Sequence, residues 1–253
     1  MQHACLMGID LAIFGDALSG APVVFVTHGR GGQKEHVYPW CEELAADGLI
    51  AVALDQRNHG TRSLDPACNA GWSLSHAADM YGLFVGTALD VSGLLDFLPA
   101  RLGIATDRVG MTGVSLGGHA TLVSMALDPR IAVGAPLIGG GDFRHLMALR
   151  AEANGVPADE FPRYFTPALE AAVARYDPIR HPERFADRPL LLCNGADDGL
   201  VQLACNERFH AAALPYYTDP ARLRLSAYPG LGHEVPPAMW AEARAWLNRW
   251  LLS

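Results

Sequence analysis

The chain has 253 residues, half of them hydrophobic and 18% charged, with a formal net charge of −8 at pH 7. That length and apolar content suit one large α/β domain, or two small ones, around a sizeable core. The acidic balance excludes a surface built for nucleic acid or anionic membrane.

Residues 9–14 read as a short first strand, followed by turns at Gly15-Asp16 and Ser19-Gly20. Residues 22–27 form a continuous apolar run, the mark of a strand covered on both faces, and end in His28-Gly29-Arg30-Gly31-Gly32. A helix is predicted over 35–46 and stopped by Gly48, and a strand over 49–54. Residues 61–75 are irregular, a length of loop that is usually functional or mobile. Helical spacing returns over 76–98, interrupted by Gly82, Gly86 and Gly93 and closed by Pro99. Strands follow at 109–114 and 131–138, with a helix from Leu116 between them. Residues 142–188 are the least sheet-like stretch, with Thr166-Pro167 as an N-cap and first-turn proline. A strand near 189–193, a helix over 201–214, a strand over 223–228 and a closing amphipathic helix over 236–252 complete the chain.

Strands alternating with helices predict a mostly parallel, twisted sheet with helices on both faces. No repeat or linker breaks the pattern, so residues 1–253 are expected to form a single domain, with 142–188 as an insertion. No apolar run reaches bilayer-spanning length, and residues 1–5 carry neither a basic flank nor an apolar signal core. The five cysteines are scattered and form no CxxC pair, which fits reduced thiols in a cytoplasmic protein. The ten histidines show no HExxH or similar spacing. No metal and no cofactor is expected.

Ligands of such sheets bind beyond the carboxyl ends of the strands, and the chemically suggestive residues cluster at those ends. Gly113-Val114-Ser115-Leu116-Gly117 joins a buried strand to a helix as G-x-S-x-G, a nucleophile elbow that exposes a serine on a strained corner. A serine hydroxyl needs a base, and the base needs an orienting acid. His233, after the last strand, is the base candidate, and Asp198 or Asp197, after the strand before it, the acid. The order Ser…Asp…His is the one expected behind this elbow. Developing negative charge on a substrate oxygen also needs fixed donors. The Leu116 N–H is one, and the glycine-rich loop 28–32 is the expected source of the other.

Together, Gly113-Val114-Ser115-Leu116-Gly117-Gly118, His28-Gly29-Arg30-Gly31-Gly32, Gly195-Ala196-Asp197-Asp198-Gly199-Leu200-Val201 and Gly230-Leu231-Gly232-His233 resemble the α/β-hydrolase superfamily. Within it, the chain is similar to compact esterases near the dienelactone hydrolases and to prolyl-oligopeptidase-like catalytic domains. The resemblance covers residue 22 to the C-terminus. It implies Ser115 as nucleophile, His233 as base and Asp198 as acid, because Gly195, Asp198 and Val201 fit Gly-x-x-Asp-x-x-Val. It further implies the backbone N–H groups of Arg30 and Leu116 as the oxyanion hole, and a structural role for His28. Two departures stand out. The short stretch before Pro22 implies that leading antiparallel strands are missing or abbreviated. A serine also stands where dienelactone hydrolases use cysteine.

The expected activity is that of a serine carboxylesterase acting on short- to medium-chain esters of small molecules. The insertion is expected to lie over the elbow as a small lid. Trp72, His76, Phe143, Phe161, Tyr164 and Phe165 are then the expected pocket walls, with packing of the insertion as their alternative role. The same triad also serves amidases, thioesterases and small peptidases, and the fold also supports non-catalytic small-ligand binding proteins.

Overall fold

The computed structural model describes residues 1–64 and 73–253. Among them, eight strands form one sheet in the order β1-β2-β4-β3-β5-β6-β7-β8. β1 (Gln2–Leu6) and β2 (Ile9–Phe14) are an antiparallel hairpin, and β2 runs antiparallel to β4 (Ile50–Leu54). β3 (Val23–Thr27), β5 (Val109–Val114), β6 (Ile131–Leu137), β7 (Leu190–Gly195) and β8 (Leu223–Tyr228) continue in parallel. The leading antiparallel strands are therefore present as a complete pair, contrary to the expectation that one or both are missing or cut short.

Successive residues of a strand face opposite sides of the sheet, and the core divides accordingly. Val23, Phe25, Val52 and Leu54 point to one side, where α2 (Ala77–Leu102), α3 (Leu116–Leu127) and α6 (Leu203–Ala213) cover them with Leu94, Leu98, Leu122 and Phe209. Val24, Val26, Ala51 and Ala53 point to the other, under Cys41 and Leu44 of α1 (Tyr38–Ala46) and Met239, Trp240 and Ala243 of α7 (Pro237–Leu251). β3 and β4 are buried at every position because both faces are covered.

α2 departs from expectation twice. Pro99 lies inside its last turn, and the helix stops only where Gly103 takes the left-handed conformation at φ 69°. Leu94, Leu95 and Leu98 are buried and hold that turn onto the sheet despite the hydrogen bond proline forfeits. Residues 74–102 are also long and apolar enough to cross a bilayer by length and composition, contrary to the sequence reading; half of the most apolar window is buried against the rest of the fold. Gly86 makes room on this helix for Arg57, whose Cδ would lie 2.5 Å from an added Cβ. Arg57 and Arg62 both pair with Asp90, which ties the loop after β4 to α2.

Between β6 and β7, the insertion folds as α4 (Phe143–Ala153), α5 (Pro167–Tyr176) and short 3-10 turns. Asp142 caps α4 by accepting the His145 N–H at 3.0 Å, and Thr166 caps α5 by accepting the Leu169 N–H at 3.2 Å. Phe143, Leu146, Met147, Leu169 and Val173 join the first half of α2 in a third apolar cluster, which also includes Leu116 and Val201 beside the strand ends. The insertion thus rests directly on the rim of the sheet where the site lies.

Candidate active site

β5 delivers the chain into Ser115, which sits at φ 55°, ψ −108° as the N-cap of α3. Such a conformation costs on the order of 1–3 kcal/mol in a residue with a side chain, and surrounding contacts must hold it. The Ser115 N–H donates to Leu137 O at 2.9 Å. The Thr27 hydroxyl lies 3.3 Å from both Thr112 O and Gly117 O, bridging β3 to both sides of the turn. A Cβ at Gly113 would lie 2.1 Å from Thr27 Oγ1 and 2.7 Å from the Gly117 backbone, and one at Gly117 would lie 2.5 Å from Thr27 O. The two glycines of the motif are thus fixed by backbone contact.

The acid and base loops are brought together in the same way. A Cβ at Gly195 would lie 2.3 Å from the carbonyl oxygens of Leu231 and Gly232. The Ala196 N–H donates to Tyr228 O at 2.9 Å and the Asp197 N–H to Leu231 O at 3.0 Å. His233 Nδ1 then lies 2.7 Å from Asp198 Oδ2, and its Nε2 lies 2.8 Å from Ser115 Oγ. A carboxylate only accepts, so Nδ1–H donates to Asp198, and neutral Nε2 is left to accept the serine proton. Asp198 Oδ1 accepts the N–H groups of Leu200 at 2.8 Å and Val201 at 2.9 Å. Asp198 is buried, whereas its neighbour Asp197 is exposed. The geometry therefore places Asp198 and not Asp197 against the histidine.

Leu116 is the first residue of α3, where a backbone N–H has no partner within the helix. Arg30 lies in the loop after β3, and both residues line the same cavity as Ser115 and His233. The base of that loop is fixed by buried polar contacts. His28 Nδ1–H donates to Gly29 O at 2.7 Å, and Nε2 accepts the Gln56 N–H at 3.2 Å. Lys34 and Asp55 pair at 2.9 Å beneath the loop, and the Thr61 N–H and hydroxyl also donate to Asp55. Gly60 packs so closely on this carboxylate that an added Cβ would lie 2.3 Å from it.

The cavity is about 590 Å³, with Trp40, Met80, Phe84, Leu146 and Val201 among its apolar walls. Several expected wall residues lie elsewhere. Phe143 is fully buried, its ring 4.7 Å from Tyr81 and 5.8 Å from Phe84. Phe165 packs on Phe143 and Phe161, with the Arg144 guanidinium 4.6 Å from its ring centre. Tyr164 packs against the same cluster, and Phe161 also edges a separate outer groove with Arg144 and Arg208. These aromatics bury themselves against α2 and one another, so the packing role replaces the pocket role. His76 lines a smaller neighbouring cavity with Arg30 and Met80. Trp72 lies outside the described residues. From the insertion, Leu146 and Arg150, one helical turn apart on α4, reach the main cavity instead.

His119 also lines the cavity and was absent from the sequence expectations. It stacks on Phe84 at 4.5 Å, with Nδ1 2.8 Å from Gly140 O. Burial lowers the pKa of both His119 and His28 to about 4, and burial lowers that of His59 as well. A histidine held neutral in the fold is protonated more readily when unfolded, so its stabilisation is complete above the unfolded value near 6.5. It is lost progressively as pH falls from about 6.5 to 4, by up to about 3 kcal/mol for each of His28 and His119. Asp177, raised well above its ordinary value by burial beside Asp142, opposes them as a single group. Urea unfolding midpoints are therefore expected to fall steadily between pH 6.5 and 4; a flat profile there contradicts the neutral assignment.

An eight-stranded sheet in this order, carrying a serine elbow with a histidine and an aspartate at neighbouring strand ends, defines an α/β-hydrolase, a serine hydrolase by class. The chain belongs to the prolyl oligopeptidase family, whose model matches residues 85–252. That span includes the elbow, Asp198 and His233. Two relatives are YitV of Bacillus subtilis (strain 168), 25% identical over 234 residues, 91% of this chain and 89% of that protein, and Esterase YjfP of Escherichia coli (strain K12), 26% identical over 220 residues, 85% and 84% respectively. Among solved structures, TT1662 from Thermus thermophilus superposes with a TM-score of 0.79 at 23% identity, over 100% of this chain and 98% of that one.

Proposed function

We propose that the protein is a serine carboxylesterase that hydrolyses short- to medium-chain esters through an acyl-enzyme on Ser115. The observation that carries this reading is the unbroken relay of 2.8 and 2.7 Å from Ser115 through His233 to Asp198, opening into a largely apolar cavity. The esterase name of the Escherichia coli relative supports the ester over the amide.

In the first half-reaction His233 Nε2 takes the Ser115 proton as Oγ attacks the ester carbonyl. The resulting imidazolium is stabilised by Asp198, whose other oxygen stays on the Leu200 and Val201 N–H groups. The N–H groups of Leu116 and Arg30 receive the oxyanion. His233 then protonates the leaving alcohol. In the second half-reaction it deprotonates a water that attacks the acyl-serine, then returns that proton to Oγ as the carboxylic acid leaves. Burial keeps the Cys41 and Cys205 thiols protonated, with pKa values pushed up to about 12, so neither competes as a nucleophile.

The test is a 4-nitrophenyl ester series from acetate to palmitate, with a fluorophosphonate probe reporting the active serine. The expected result is labelling of Ser115 and a kcat/KM maximum between acetate and octanoate. Labelling with no ester turnover, and turnover of matched anilides instead, would favour the amidase or peptidase reading.

A further inference from the structure

His119 lines the same cavity as Ser115 and His233 but takes no part in the relay between them. It lies one turn beyond the nucleophile on α3, its N–H donating to Ser115 O at 3.0 Å. That spacing sets the two residues on one face of the helix, about 6 Å apart along its axis, and the Cα–Cβ bond tilts the imidazole back toward Ser115. The residue is 4% exposed, and its ring stacks on Phe84 with centroids 4.5 Å apart. Gly140 takes up Nδ1: one tautomer donates Nδ1–H to Gly140 O at 2.8 Å, and the other accepts the Gly140 N–H at 3.0 Å. Among the described residues no hydrogen bond reaches Nε2. Nε2 is therefore the polar atom this ring has left to offer the cavity, in the company of Phe84, Leu146 and Val201. Burial holds the imidazole neutral at neutral pH, so Nε2 accepts in the first tautomer and donates in the second. Water meets such an atom until a substrate displaces it. An apolar group put there leaves the nitrogen unpaired, and a site so left discriminates against that substrate. A hydroxyl both donates and accepts, so it pairs with Nε2 in either tautomer.

We propose that His119 Nε2 is a specificity-determining contact that hydrogen-bonds a neutral hydroxyl of the substrate, so that the preferred substrates are hydroxy esters with two or three atoms between that hydroxyl and the scissile carbonyl carbon. This rests on the ester-hydrolysis reading above. The length follows from the offset of about 6 Å along α3 between the nucleophile and the imidazole, part of which the hydrogen bond itself spans. The Phe84 stack and the Gly140 contact fix the orientation of the ring, which a recognition group requires.

The experiment compares ester pairs in which a hydroxyl replaces a methyl group, with acid release followed by pH-stat. One arm varies the acyl side, ethyl 3-hydroxybutyrate against ethyl 3-methylbutyrate. The other varies the alcohol side, 2-hydroxyethyl butyrate against propyl butyrate. The expected result is at least a tenfold higher kcat/KM for the hydroxy member in one arm. Two variants separate the two ring nitrogens. In His119→Asn the amide can replace Nδ1 at Gly140 but cannot reach the place of Nε2, so the preference should fall to less than about twofold. In His119→Gln the longer amide reaches the place of Nε2, so most of the preference should survive. Fluorophosphonate labelling of Ser115 shows that each variant has an assembled site. Independently of both variants, the ¹⁵N resonance of His119 Nε2 in Ser115→Ala should shift on saturation with the preferred hydroxy ester and not with its methyl partner. Turnover of all four esters with no hydroxyl preference in either arm overturns this inference alone. A preference that a labelled His119→Asn leaves intact, or an Nε2 resonance that does not move, overturns it as well. Failure of all four esters overturns the esterase reading and this inference with it.

Discussion

Ser115→Ala is expected to lower kcat on 4-nitrophenyl butyrate by at least about 10⁴-fold while leaving the fold intact. Among the described residues the hydroxyl's side-chain hydrogen bond is the 2.8 Å approach to His233, so little packing is lost with it. The positive φ at this position is held by the backbone contacts of Gly113, Gly117 and Leu137, none of which involves Oγ. Alanine carries the same backbone strain as serine, and the unfolding midpoint should move by less than about 1 kcal/mol in free-energy terms. Substrate affinity should survive, because the cavity walls are unchanged. A variant that keeps near wild-type turnover would place the nucleophile elsewhere.

Asp198→Asn is expected to cost about 10⁴-fold in kcat, through the tautomer of its neighbour and not through lost structure. The two N–H groups of Leu200 and Val201 require an acceptor, so the asparagine oxygen takes the place of Oδ1. The amide nitrogen then faces His233 Nδ1, where the carboxylate accepted at 2.7 Å. An NH₂ in that position favours Nδ1 as acceptor and moves the ring proton to Nε2. Nε2–H no longer accepts from Ser115, so the base is lost with its geometry intact. Asp197→Asn is the matched control: that side chain is exposed, and the expected change is less than about threefold. Equal effects at 197 and 198 would overturn the assignment of the acid.

The parts of the fold legible in the sequence are those where one local pattern has one physical cause. β3, β4 and β5 show as apolar runs because both their faces are covered. The elbow shows because Gly113 and Gly117 each touch backbone that a side chain would strike. β1 escapes notice because it is an edge strand with Gln2 and His3 exposed, so it carries no apolar run. α4 is different, since its signal is present: Asp142 is a capping residue, and Phe143, Leu146, Met147 and Ala151 follow at helical spacing. The end of α2 misleads because proline stops a helix locally, while the burial of Leu94, Leu95 and Leu98 carries it one turn further.

The catalytic candidates are legible, but the walls around them are not. Ser115, Asp198 and His233 each follow the end of a strand, and parallel strand ends share one rim. The cavity instead collects Trp40 from α1, Phe84 from α2, His119 from α3 and Arg150 from α4. No spacing along the chain links these residues. The aromatics of the insertion, which suggest a pocket by composition, meet the apolar first half of α2 before they reach the cavity.

Acid-quenching the wild-type enzyme during turnover of 4-nitrophenyl butyrate and mapping the acylated peptide tests the central claim most directly. The account predicts a butyryl group on Ser115, absent from Ser115→Ala. Sustained turnover with an unmodified Ser115, or an acyl group carried on another residue, would contradict it.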